Sequence, residues 1–221
     1  MSGWGQFTAA LIVFLLSHAI PVRPPVRPWL ISKLGKAGYL ATYSVFSLAV
    51  LAWLIIAAAN APYVEVIPPF AALRWVPLLT MPVVCWLAIA GLAAQNPFSF
   101  GGMGRAAFDP EKPGILRTTR HPILVALLIW AVAHLLANGS LAHVILFGLF
   151  AGFAWLGMAL LDRRKQSELG TDWDQLARNT SRLSLDPPQP WPRPWIWFTA
   201  GAAFVVLLHL HAPVIGLSPL P

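Results

Sequence analysis

The chain has 221 residues, of which 57% are hydrophobic and only 10% are charged, and its mean hydropathy is +0.67. A soluble domain carries about a quarter charged residues, so this composition excludes an ordinary soluble enzyme and a disordered chain. Five runs carry no charge at all: residues 1–22, 37–64, 75–104, 121–161 and 194–221. Because about 20 apolar residues cross a bilayer, the sequence predicts an all-α, polytopic membrane protein.

The predicted architecture is a six-transmembrane-helix bundle that forms one domain over residues 1–221. The fourth and fifth spans share the run 121–161, which as one helix would be about 60 Å long, roughly twice the thickness of the bilayer core. Asn138, Gly139 and Ser140 form the turn that splits this run into a helical hairpin. The spans are predicted at about residues 4–21, 38–60, 75–95, 121–138, 141–161 and 194–213.

The net charge of +7 indicates the orientation of the chain in a membrane, so the expected partner is lipid rather than nucleic acid. Lysine and arginine are retained on the cytoplasmic side of a membrane. With six spans, 14 of the 15 basic residues, Arg105 among them, fall in loops one, three and five, and only Arg74 lies elsewhere. Both termini are therefore expected outside. Because the basic residues follow the first apolar run, we expect a retained helix rather than a cleaved signal.

The fifth predicted loop is expected to be partly helical. Residues 162–169 are expected to continue the fifth span into water, and Gly170 to end that helix. Thr171 then begins a short helix, with Asp174 three residues on as an approximate capping box. Trp173 and the other apolar residues of this helix are expected to face the membrane surface.

Histidines are the candidates for chemistry within the membrane, because all eight carboxylates lie in predicted loops. This absence of intramembrane acids argues against an ion-driven transporter or pump. By depth along the helices, His18 groups with His121, whereas His134 groups with His143 or His209. A lone histidine is more often a helix–helix hydrogen-bonding residue, but neutral imidazole also ligates haem iron. Six histidines lie in the charge-free runs, so at least one ligand pair is predicted: His18, His121, His134, His143, His209 and His211.

Two stretches of the sequence carry a resemblance to a known family. They are FLLSHAIPVRPPVR near the N-terminus and the block GILRTTRHP…VAHLLANG, which runs from Gly114 to Gly139. The whole chain resembles the NnrU family of bacterial membrane proteins, named for an association with nitrite and nitric oxide reduction. The plant ζ-carotene isomerases are similar to that family. The resemblance implies a bacterial inner-membrane protein, acting either in nitric oxide metabolism (denitrification) or as a haem-dependent isomerase of a lipophilic, carotenoid-like polyene.

The isomerase relatives hold a non-covalent b-type haem with two histidines, and the resemblance implies the same ligands here. The matching positions are His18, in LSHAI, and His134, in WAVAH. Haem b is therefore the expected cofactor, with two histidine ligands or with one and an open position for nitric oxide. In the isomerases the cysteine three residues before the second histidine takes part in redox-dependent ligation. This chain has Ala131 there, so that switch is absent.

Five further residues are predicted to help bind the cofactor. Arg117 and Arg120 lie on the cytoplasmic side, where guanidinium groups pair well with haem propionates. The alternative for both is positive-inside topology with lipid phosphate contact. His121 is the substitute partner for His18. Trp130 and Asn138 lie one helical turn either side of His134 and are expected to shape the pocket or hydrogen-bond within it.

The RHP sequence also resembles isoprenylcysteine carboxyl methyltransferases and phospholipid methyltransferases, in which such residues and later glutamates help to hold S-adenosylmethionine. Arg120, His121, Pro122 and Glu168 carry this alternative. The sequence departs from that pattern, with RHPILVA for RHPxYxG and SELGTDWDQLARN for a tail with paired Glu and a Tyr. A third alternative is a non-enzymatic sensor or assembly factor. The haem alternative predicts a coloured protein and the methyltransferase alternative a colourless one.

Overall fold

The computed structural model describes residues 3–99 and 108–221, so that Arg105 lies outside the described residues. Short 3₁₀ turns at Ala71–Arg74 and Ile115–Arg117 precede the third and fourth helices. The described ranges contain isolated β-bridges but no sheet, so the all-α prediction is confirmed. The helices, in chain order, are α1 (Gly3–Ala19), α2 (Val26–Ala59), α3 (Trp75–Ala93), α4 (Pro122–Asn138), α5 (Leu141–Leu169), α6 (Asp172–Ala177) and α7 (Pro194–Ile215).

Several of these helices have the length and composition of membrane spans. Within the described residues four are long and apolar enough to cross a bilayer, namely α2, α3 with its preceding turn, α5 and α7. The apolar helices α1 and α4 have 17 residues each, about 25 Å, at the lower end of the lengths that span the hydrocarbon core. The fold is that of a helical membrane protein, and the count of six spans stays a prediction.

The turn between α4 and α5 forms where the sequence predicts it. Gly139 follows α4 with a φ of 51°, in the left-handed region, and its backbone N–H donates to the Leu135 carbonyl. A Cβ atom at residue 139 would collide with the carbonyl oxygen of Ile67. Both the backbone conformation and the available space therefore require glycine here.

Helix α2 begins at Val26, well before the predicted start of the second span at residue 38. Gly35 has φ 71° and ψ 165°, which interrupts the helical path, so residues 26–34 form a separate helical segment. The hydroxyl of Tyr39 donates to the Pro21 carbonyl at 3.1 Å and fixes the turn ahead of this segment. The prediction missed the segment because VRPWLISKL mixes basic and apolar residues and so lies outside the charge-free runs.

The helices group into two compact units, each described here by itself. The first comprises Met1–Val66 and Ser140–Leu146, and the second comprises Ile67–Gly139 and Phe147–Pro221. In the first unit α1 packs against α2. In the second unit α3 packs against both α4 and α7.

Close packing of α3 on α4 positions the start of α4, where the RHP sequence lies. A Cβ atom built on Gly91 of α3 would lie 2.7 Å from Cγ of Pro122 and 3.1 Å from Cγ1 of Ile123. Any larger residue at position 91 would push the helices apart. Around this contact the second unit has a buried core that includes Leu87, Ala90, Leu124, Val125 and Met158.

The short helix α6 follows Gly170, whose φ is 55°, as the sequence predicts. Two local predictions about it are wrong. Thr171 makes no side-chain capping hydrogen bond, so the capping box does not form. Trp173 does not face the membrane surface but is buried, with its ring edge-on to Phe98 at a centroid distance of 5.1 Å. The indole ring therefore belongs to the core of the second unit.

Candidate functional site

A buried carboxylate joins the arginine and the histidine of the RHP sequence. Arg120 donates to both oxygens of Asp162, from Nε at 3.1 Å and from Nη2 at 2.9 Å. Nε2 of His121 lies 2.9 Å from Oδ1, and Nε of Arg182 donates to Oδ2 at 2.7 Å. Asp162 is 1% exposed and His121 is fully buried. We name these four residues the Asp162 cluster.

Asp162 is the exception to the prediction that residues 162–169 continue the fifth span into water, because it is buried whereas most of the residues after it are exposed. Helix α5 does extend to Leu169, but its Asp162 lies beneath two guanidinium groups. Arg120 binds the carboxylate of Asp162 in a bidentate manner, which is the strong form of an arginine–carboxylate pair. Since a carboxylate accepts hydrogen bonds, the network assigns the His121 proton to Nε2. Nδ1 of His121 is buried and has no hydrogen-bond partner among the described residues.

Arg120 also contacts two aromatic rings, which pack against each other. Its guanidinium carbon is 5.4 Å from the ring centre of Trp173 and 5.9 Å from that of Phe98. Its Nη1 is 3.2 Å from the carbonyl oxygen of Thr180. All three nitrogens of the guanidinium group thus have acceptors within the protein, and the aromatic faces add cation–π contact. The predicted role of Arg120 in binding a propionate stays a prediction.

The chain after α6 returns to pack beside the segment before α4. We name residues 180–189 the return segment. The backbone N–H of Arg120 donates to the Ser181 carbonyl at 2.7 Å, and Gly114 and Gln189 exchange two backbone hydrogen bonds of 2.7 and 3.3 Å. Residues 114–120 of the predicted third loop and the return segment of the fifth therefore pack together in this unit, which explains why the Asp162 cluster draws residues from both loops.

A polar cleft of about 350 Å³ lies beside the return segment. Arg117 lines it and donates to the side-chain oxygen of Gln189, and Arg178 pairs there with Glu111. The cleft also contains Asp186, so two acidic and two basic residues line it. Arg117 is placed at this cleft, and its predicted contact with a haem propionate stays a prediction.

His134 lies on α4 with one ring nitrogen held by its own helix. Nδ1 is 2.8 Å from the Trp130 carbonyl oxygen, which accepts only, so Nδ1 carries the proton and Nε2 keeps its lone pair. The imidazole lies 5.0 Å from the Trp130 ring and 5.4 Å from the Phe147 ring, between centroids. The amide of Asn138 donates to the His134 carbonyl at 2.8 Å. The structure thus places both predicted pocket residues, Trp130 and Asn138, in contact with His134.

His18 has the same arrangement in the first unit. Its Nδ1 lies 2.8 Å from the Phe14 carbonyl oxygen, so its Nε2 also keeps a lone pair. The ring centre lies 4.2 Å from that of Phe14 and 6.2 Å from that of Tyr43, with the Tyr43 contact edge-on. A histidine that ligates a metal usually has its other nitrogen held by a carbonyl or carboxylate. His18 and His134 both meet this condition, each within its own unit.

Two of the remaining sequence candidates, His209 and Glu168, are exposed. Nδ1 of His209 lies 2.8 Å from the Val205 carbonyl, but this residue is exposed on α7. Glu168, which the methyltransferase alternative requires, is exposed and pairs with Arg164 and Lys165 on its own helix. It does not join Arg120 and His121. The described residues contain no group of three or more His, Cys, Asp or Glu side chains that could hold a metal ion, but two axial histidines need no such group.

Asp162 is the residue that the sequence interpretation missed. The sequence groups it with the loop carboxylates, because it follows the last apolar residue of the fifth span. A signal was present, however. In a hairpin that turns at Gly139, residues near 120 and near 160 return to a similar depth. The first acid after the span therefore comes close to the arginine and histidine that open the previous one.

These features define a helical membrane protein in which three histidines, His18, His134 and His209, are each oriented by a carbonyl of their own helix. The family model described as NnrU protein matches residues 6–219, so the chain belongs to the NnrU family. The chain is also similar to 15-cis-zeta-carotene isomerase, chloroplastic, from Arabidopsis thaliana, with 35% identity over 94 residues. That match covers 38% of this chain and 24% of the isomerase. No solved structure matches the chain.

Proposed function

We propose that this NnrU-family protein binds b-type haem in the bacterial inner membrane, with His134 and His18 as axial ligands. The observation that carries the proposal is the orientation of the two imidazoles. Each has Nδ1 held by the carbonyl four residues earlier, which leaves Nε2 to donate a lone pair to iron. The two residues lie in different units, so each is tested by its own variant.

The surroundings of His134 suit a flat apolar group. The ring centre of Trp130 lies 5.3 Å from that of Phe147 and 5.9 Å from that of Phe150. The imidazole of His134 packs against Trp130 and Phe147. Sites for small molecules and cofactors are lined mainly by hydrophobic and aromatic side chains. These rings restrict rotation of the imidazole, and the Trp130 carbonyl selects its tautomer. When bound, a haem supplies an iron centre for redox chemistry or for binding a small ligand.

The activity we propose is isomerisation of a lipophilic polyene, in the manner that the name of the Arabidopsis relative describes. The support is the 35% identity over 94 residues. Because Ala131 cannot ligate, His134 is the only residue of WAVAH that is able to bind iron, so no ligand exchange occurs within that motif. A role in nitric oxide metabolism, without turnover of a polyene, is the alternative outcome of the tests.

The basic loops support placing both termini in the periplasm.

The methyltransferase alternative has less support from the site. Arg120 and His121 are bound to Asp162, whereas Glu168 pairs with Arg164 and Lys165 on the surface of α5. A site for S-adenosylmethionine would need the arginine, the histidine and the glutamate to converge on one ligand. Arg120 and His121 do not converge with Glu168 in this way.

The haem proposal is tested by optical spectra of the detergent-purified protein, oxidised and reduced with dithionite. We expect a Soret band with sharp α and β bands on reduction, which His134→Ala and His18→Ala each remove or shift. His209→Ala is the matched control, because this exposed histidine has the same contact to a carbonyl four residues earlier. A colourless wild type, even when expressed with added haem precursor, overturns the proposal. Incubation of the coloured protein with a polyene or with nitric oxide then separates the two activities.

A further inference from the structure

The helical segment 26–34 carries a concentration of positive charge. Arg27, Lys33 and Lys36, the last of these just beyond the interruption at Gly35, are all exposed. The sequence contains no acidic residue from position 1 to position 64. Among the described residues, none of these three cations forms an ion pair with a carboxylate, so their charge is available to a partner outside the chain.

Large apolar side chains lie among these cations. Trp29 is 58% exposed and Leu34 is 46% exposed. Exposing such side chains to water is unfavourable, whereas tryptophan is enriched at the boundary between a membrane and water. A surface that combines basic residues with tryptophan and leucine has the composition of a helix that lies in the interface of a bilayer.

The geometry of the chain supports this orientation. Gly35 has φ 71° and ψ 165° and so separates the segment from the apolar helix that continues to Ala59. The Tyr39 hydroxyl holds the preceding turn through the Pro21 carbonyl. The segment is thus anchored at the turn before it and separated from the span after it, as an interfacial helix joined to a transmembrane helix requires.

We propose that residues 26–34 lie along the headgroup region of the bilayer, where Arg27 and Lys33, together with Lys36 just after the segment, bind the phosphate groups of anionic phospholipids. Charge complementarity selects this occupant, since three uncompensated cations attract anionic rather than zwitterionic lipids. Trp29 and Leu34 extend into the boundary between headgroups and acyl chains. Each cation is expected to contribute roughly fivefold to the preference for anionic lipid.

The experiment places a fluorophore on the segment in the full-length protein. Cys85, the single cysteine, is replaced by alanine, and Ser32→Cys is labelled with an environment-sensitive dye. The labelled protein is reconstituted in nanodiscs of phosphatidylcholine alone or mixed with phosphatidylglycerol. We expect quenching by spin labels at the headgroup to exceed quenching by labels deep in the acyl chains. Phosphatidylglycerol should shift the emission to shorter wavelength, and a variant with Arg27, Lys33 and Lys36 all changed to glutamine should lose that shift.

The matched control changes Arg163, Arg164 and Lys165 of α5 to glutamine, which removes three cations elsewhere and should leave the response of the dye unchanged. Circular dichroism and a single elution peak establish that each variant is folded. If the dye emits as it does in water and neither lipid label quenches it, the proposal is overturned and a soluble protein partner is favoured. Quenching mainly by deep labels, or equal emission with and without phosphatidylglycerol, also overturns it.

Discussion

Nε2 of His121 and Oδ1 of Asp162 lie 2.9 Å apart, and both side chains are buried. His121 immediately precedes α4, whereas Asp162 lies on α5 just beyond its apolar run. This contact ties the two helices together at the end of the hairpin opposite the Gly139 turn. Because Arg120 and Arg182 bind the same carboxylate, one acidic residue holds the start of α4 and the return segment in place.

Replacement of Asp162 by asparagine is expected to destabilise the protein strongly. The change removes the negative charge that faces Arg120 and Arg182, and removal of one partner of a buried pair costs about 3 kcal/mol or more. The free energy of unfolding in detergent, followed by circular dichroism, measures this loss. Glu168→Gln is the control, since it breaks exposed ion pairs of the same helix and should cause no measurable change. Equal stability of the two variants would contradict a structural role for Asp162.

Gly139→Ala is expected to lower the free energy of unfolding by more than about 1 kcal/mol. Alanine would have to adopt a φ near 51°, and its Cβ would collide with the Ile67 carbonyl. Gly152→Ala on α5 is the matched control, because nothing lies within 4 Å of the position of its Cβ. Thermal unfolding of both variants tests the prediction, which fails if they have the same midpoint.

Gly91→Ala is expected to separate α3 from α4 and to cost about 1–3 kcal/mol, as overpacking of a close contact does. Its Cβ would lie 2.7 Å from Pro122, the residue after His121. Gly201→Ala on α7 has open space around the new methyl group and serves as the control. Unfolding in detergent compares the two, and an unperturbed Gly91→Ala variant would mean that the helices adjust without cost.

Asn138→Ala is expected to alter stability rather than the haem spectrum. The Asn138 amide donates to the His134 backbone carbonyl, so its loss should cost about 1 kcal/mol. Trp130→Ala, by contrast, removes the ring that packs against the imidazole and is expected to shift the Soret band or lower haem occupancy. The spectra and thermal midpoints of the two variants are measured side by side. A Soret shift in Asn138→Ala would instead assign its side chain to the cofactor site.

Much of the candidate haem site follows from sequence alone, because each histidine is oriented by its own helix. The contact of His134 with Trp130 and that of His18 with Phe14 each join residues four positions apart, a spacing that any α-helix brings together. The Gly139 turn is equally local, since glycine is favoured where φ is positive. Such features depend on neighbours in the chain, which the sequence displays directly.

The features that sequence reasoning missed depend on distant parts of the chain. Trp173 is predicted at the membrane surface by its amphipathic helix, yet Phe98 and Arg120 enclose it in the core. Residues 26–34 are predicted as a loop because the charge-free run begins later. In the structure they are helical, and the backbone of Gly35 separates them from the rest of α2.

Composition and charge pattern by themselves determined an all-α membrane protein, its histidine-bearing helices and the hairpin turn, because hydrophobicity and glycine conformation act locally along the chain. Only the tertiary structure decided the partners of Arg120 and His121. Asp162 is separated from them by a hairpin of some forty residues, and its polar side chain is indistinguishable in sequence from a solvated one. Burial of a carboxylate becomes favourable only when the fold brings two arginines and a histidine to it.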